Sequence, residues 1–212
     1  MTTQSQLRDL EQRPQRYWNA DGIPELVMGL VWVLWGVALL IGEALPQGQG
    51  QQAYWLVMPA ILVLSGFGAN WLVKQLKERL TYPRAGFVTY REPGRATRLL
   101  SAGVAVLAAA TLAFLIVTGR QGGLEHAAAP AIGLVLSLAF LVAALRQRAP
   151  HYLALAGVAL MLGLAFGALK LGWESLNWML VWLGAAAASM GAWRLARFLR
   201  RHELPQDAEH NP

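Results

Sequence analysis

Chemistry needs acids, bases or nucleophiles that converge, and this chain supplies few of them. On the topology dictated by its basic residues, Glu43, Arg120, Glu125, His126, Lys170 and Glu174 gather on one side of a membrane, where Glu125-His126 is the only histidine–acid neighbour pair. Adjacent residues on a helix do not face each other, so the pair is neither a metal nor a catalytic signature. The other histidines, His151, His202 and His210, fall on the opposite side. The absence of cysteine excludes disulfides, thiolate catalysis and Cys-ligated metals. HExxH, Gly-x-Ser-x-Gly, Walker A and Rossmann fingerprints are all missing. These residues lean away from an enzyme: no catalytic, cofactor-binding or metal residue is assigned, and no cofactor is called for.

The elements that would position any site are apolar helices. Of the 212 residues, 56% are hydrophobic and 14% charged, far from the balance of a soluble domain. Six apolar stretches, 24–45, 53–73, 99–118, 127–145, 152–169 and 176–193, each approach the roughly 20 residues that cross a hydrocarbon core. Runs of this length without alternation are helices, because lipid leaves no other way to satisfy backbone groups. Basic residues fix the orientation. Three lie before the first stretch, seven in 74–98, two in 146–151 and four after residue 193, so 16 of 18 Lys and Arg share one side. That side is cytoplasmic by the positive-inside rule, and both termini lie there. The excess of +6 is therefore a topology signal and not a nucleic-acid footprint. The expected fold is all-α, an integral membrane bundle of six transmembrane helices in three antiparallel hairpins. Its segments are a cytoplasmic N-terminal piece 1–23, a hairpin 24–73, a basic loop 74–98, a hairpin 99–145, a turn 146–151, a hairpin 152–195 and a cytoplasmic tail 196–212.

The loop is the one long connection. WLVKQLKERL keeps a helical pattern beyond the second apolar run; Pro83 and Arg84-Ala85-Gly86 supply a turn; FVTY is β-prone and closes at Pro93-Gly94, which suggests a short extended segment. Tyr82, Phe87, Tyr90, Arg91 and Arg95 are its candidate contacts with a protein partner or lipid headgroups; the plainer reading is a stop-transfer flank. DGIPEL, at 21–26, leads into the first span. Asp21 reads as a helix cap, Pro24 as a first-turn residue and Glu25 as a charge at the positive helix end. The sharper alternative pairs Asp21 or Glu25 with Arg79 or Arg84, docking the loop on the bundle.

Together, YWNADGIPELVMG and KERLTYPRAGFVTYRE resemble bacterial multi-pass inner-membrane proteins of no assigned activity. The resemblance covers about the first ninety residues. It implies a bacterial inner-membrane location and transfers no functional residue.

An ionisable group at the bilayer centre would be a functional hypothesis by default, and none is expected, since each charged residue near a span falls at its end. Glu25 is among those expected to be solvated there. Trp32 and Trp35 sit well inside the first span, either packed on small residues of a neighbour or lining an apolar cavity. Gly163 and Gly167, and the run AAAASMGA, offer close-packing surfaces. Pro59 is a kink candidate. The favoured function is a non-enzymatic scaffold or accessory subunit that binds a cytoplasmic or membrane protein partner, or anionic lipid, through its basic face. The competing class is a small transporter or a lipid-binding protein. Partners are thus membrane lipids and a protein, with no nucleic acid; the sequence leaves the oligomeric state open.

Overall fold

The computed structural model describes residues 21–82, 125–147 and 149–201, with Gly103 and Ala110 as isolated helical positions. Five long helices account for most of this: α1 (Ile23–Ala44), α2 (Gln49–Leu76), α3 (Ala128–Gln147), α4 (His151–Ala168) and α5 (Glu174–Arg201). α2 continues through a π-helical turn, Lys77–Thr81, and a 3-10 turn, Glu125–Ala127, leads into α3. All five are long and apolar enough to cross a membrane. The 18 residues of α4, the shortest, rise about 27 Å, close to a hydrocarbon core. Large apolar side chains face outward, Leu56 being 82% exposed, as lipid permits and water penalises.

What joins the helices is mostly glycine. Gly22, Gly29 and Gly36 recur every seven residues on α1, and Gly184 and Gly191 do so on α5. A Cβ on Gly29 would lie 2.3 Å from the backbone N of Ala188, and one on Gly184 2.6 Å from the carbonyl O of Gly29. The two backbones therefore touch, in antiparallel register, with Gly22 against Gly191 at one end and Gly36 against Asn177 at the other. Gly22 is doubly constrained, since its φ of 74° lies in the left-handed region. α3 and α4 form a second close pair, in which Gly163 meets Ala129 and Gly133 while Gly167 meets Pro130. Between the two pairs lies a core of Ala129, Leu176 and Met179, with Leu136 and Phe166 packed on it.

The first helix thus takes the last as its main neighbour, where the sequence suggested α2. α2 does contact α1, through hydrogen bonds: Tyr54 Oη donates to the Ala38 carbonyl, and Trp35 Nε1 to Ser65 Oγ at 2.7 Å. It buries least of the five and runs through Pro59 as continuous helix. The third apolar stretch, the FVTY segment and the tail after residue 201 lie outside the described residues.

Candidate functional site

Polar residues converge at the end of the bundle where α1 and α4 begin and α2 and α5 finish. Asp21, one residue before the α1 N-cap, accepts the Ile23 N–H through Oδ1 at 3.2 Å. That satisfies one of the free donors of the first turn. Its other oxygen, Oδ2, accepts from Thr81 Oγ1 at 2.9 Å and lies 3.6 Å from Lys77 Nζ. Asp21 and Lys77 are essentially inaccessible, at 0% and 1% exposure. The π-helical turn brings Lys77 and Thr81 to one carboxylate, and such widened turns recur where a helix serves a site. Burial pushes the Asp21 carboxyl above the usual carboxylate range; the Lys77 ammonium, the Ile23 N–H and the Thr81 hydroxyl offset this only in part.

One turn further along α1, Glu25 joins two more helices. Its Oε1 lies 2.8 Å from His151 Nε2 at the start of α4 and accepts from Arg194 of α5, also at 2.8 Å. Arg194 in turn stands 2.7 Å from the same His151 nitrogen. One nitrogen cannot serve both neighbours: protonated, it donates to Glu25; bare, it accepts from Arg194. The triangle therefore has two hydrogen-bonded arrangements that differ by the position of one proton. Around it, Tyr152 tilts against His151 at 4.3 Å between ring centroids and stacks on Phe140 of α3 at 6.2 Å. Phe140 then meets Trp32 edge-on at 5.7 Å.

Glu25 is 3% exposed, so the expectation of a solvated charge at a helix end is corrected. The α1–α5 seam brings α5 so close that protein encloses Glu25. Its carboxylate also stands in the first turn of α1, at the positive helix end. Of the docking candidates, Asp21 and Glu25 are drawn into the cluster, whereas Arg79 sits exposed beside it. Arg84 lies outside the described residues, as do Phe87, Tyr90, Arg91 and Arg95; Tyr82 is half-buried. Trp32 and Trp35 are engaged with Phe140 and Ser65.

Sequence reasoning missed Lys77, Thr81, His151 and Arg194. Their only signal was position, since all fall at ends assigned to one membrane side, but which end-residues turn inward depends on helix packing. Among the described residues, no group of three or more His, Cys, Asp and Glu could hold a metal ion. No protein family, no curated protein and no solved structure matches the chain.

Proposed function

We propose that the chain is a non-enzymatic multi-pass membrane protein, a scaffold or accessory subunit whose basic end meets a protein partner or anionic lipid. The ionic cluster carries this reading. It ties the ends of four helices through ion pairs and hydrogen bonds, where α2 leads into the basic segment 74–98, a construction suited to holding a docking face in shape. The close glycine seams support it further, because a bundle joined backbone to backbone resists the rocking that alternating access needs.

For the finer topology we infer six spans with both termini on one side. Thr81 stands at the Asp21 end, while His126 stands at the opposite end beside Gly167. Because residues 82 and 125 stand at opposite ends, we infer one further crossing between them, for six with the five helices. An even number returns both termini to the Asp21 end, which we assign to the cytoplasm from its basic residues. The bacterial inner membrane is assigned from the resemblance of the N-terminal ninety residues.

The test is purification of the full chain in mild detergent followed by native mass spectrometry. A stoichiometric protein or anionic lipid is expected to accompany the wild type and to be lost on joint Arg91→Gln and Arg95→Gln substitution. A retained soluble metabolite, or retention indifferent to those changes, overturns the reading.

A further inference from the structure

The far end of the bundle is built differently. Glu43 from the last turn of α1, His126 from the 3-10 turn, and Lys170, Trp173 and Glu174 from the α4–α5 connection surround a pocket of about 510 Å³. Three separated parts of the chain thus contribute side chains of both charges to one open concavity. Within it, Glu43 Oε2 and His126 Nδ1 are buried and make no hydrogen bond. Asn177, 4% exposed, lies beside Glu43 with its side chain turned to that carboxylate as a weak hydrogen-bond partner. Each such atom costs about 1–3 kcal/mol when left unsatisfied, and natural proteins seldom cluster them without a use. A single water, about 30 Å³, would occupy only a small fraction of this pocket.

The backbone adds an independent sign. Lys170 has φ 52°, a left-handed conformation normally left to glycine. Strain of this kind persists chiefly where it positions something, and here it sets Lys170 on the same rim as Glu174. The rim is amphiphilic: Leu169 and Leu171 beside Lys170 are 59% and 44% exposed, and Trp173 is a side chain of the membrane–water interface.

We propose that this pocket binds the head group of a phospholipid bearing a primary ammonium, with the ammonium meeting the Glu43 and Glu174 carboxylates, the phosphate meeting Lys170, and the acyl chains lying along the exposed leucines. Two carboxylates beside one lysine disfavour a purely anionic head group. Carboxylates only accept, and a cationic N–H donor offsets their charge where a neutral hydroxyl does not. A free ammonium–phosphate compound shares this chemistry; the apolar rim assigns the lipid. The proposal rests on the membrane-spanning reading, which detergent extraction of the chain tests separately.

The experiment is native mass spectrometry of the full chain with equimolar phosphatidylethanolamine, phosphatidylcholine and phosphatidylglycerol, and, in a separate arm, glycerophosphoethanolamine. Phosphatidylethanolamine should be retained roughly tenfold over the other two lipids, the effect of one charge-assisted hydrogen bond. Glu43→Gln should abolish that preference, while Glu78→Gln, on the exposed end of α2, should leave it intact. Equal retention of phosphatidylcholine, or a preference unchanged in Glu43→Gln, would overturn the proposal. Binding of glycerophosphoethanolamine as tight as that of the lipid would overturn the lipid assignment; weaker binding supports it. The comparison among lipids on wild-type protein stands even where a variant fails to fold.

Discussion

The two ends of the bundle carry similar residues and treat them in opposite ways. At the Asp21 end, a Glu on α1 meets a His and an Arg from two other helices, and Oε1 of Glu25 is shared between them at 2.8 Å each. At the far end, a Glu on the same helix stands near a His and a Lys, yet Glu43 Oε2 and His126 Nδ1 find no partner. The difference lies in what surrounds the charges. The first set is enclosed where four helix ends meet, so each charge has an opposite charge beside it, although Glu25 Oε2, like Glu43 Oε2, makes no hydrogen bond. The second sits at the rim of a pocket, where part of the pairing is left to whatever arrives. A closed set stabilises the fold; an open set is suited to binding.

Matched substitutions should separate the two most sharply. Glu25→Ala strands Arg194 and His151 and should cost about 3–5 kcal/mol in chemical denaturation, the penalty for breaking a buried pair from one side. Glu43→Gln should cost less than about 1 kcal/mol, since the amide keeps an oxygen that can accept from Asn177 and no ion pair is broken. Comparable losses at both positions would erase the distinction.

The seam that encloses Glu25 gives the next largest effect. Gly29→Val forces a side chain into the α5 backbone and should destabilise by about 2–3 kcal/mol, visible as a lowered thermal midpoint. Gly66→Val on α2, where a Cβ meets nothing within 4 Å, should be near neutral. If both were neutral, the α1–α5 contact would not be what closes the Asp21 end.

Smaller again, Lys170→Gly should stabilise the fold by about 1 kcal/mol by relieving its left-handed backbone, while weakening head-group retention. Stabilisation without loss of binding would mean that Lys170 serves the turn alone.

The smallest effect is a pH dependence at the closed end. The Asp21 carboxyl is raised from its ordinary value of 3.8, so the fold favours its protonated form. Its contribution is fully present below 3.8 and is lost as pH rises through the raised folded value. Relative to Asp21→Asn, the wild type should therefore gain stability on acidification from neutral, by less than about 1.4 kcal/mol per pH unit. A gain on alkalinisation instead would show that Lys77 dominates the pair.

Much of the architecture was legible in the residues themselves. Apolar runs of membrane length announced the helices, and five of the six stretches lie on described helices. Gly163 and Gly167 were legible as a close-packing surface, but not that α3 is the helix that fills it. The seven-residue glycine series of α1 was equally present in the sequence and went unread. Glycine on one helix acquires meaning only against small residues on another, and the pairing of first helix with last is a long-range fact. The closed cluster was hidden for the same reason. Asp21 and Glu25 were noticed, but the loop arginines Arg79 and Arg84 were the expected partners, whereas Arg194 reaches Glu25 from 169 positions away.

Composition by itself determined that this chain is helical and suited to lipid, because backbone groups in an apolar run of that length must bond internally. Which charges meet, which are sealed and which are left facing a pocket was decided only by the tertiary structure. A charge's cost depends on its neighbours in space, and helices that touch backbone to backbone bring together residues that the sequence keeps far apart.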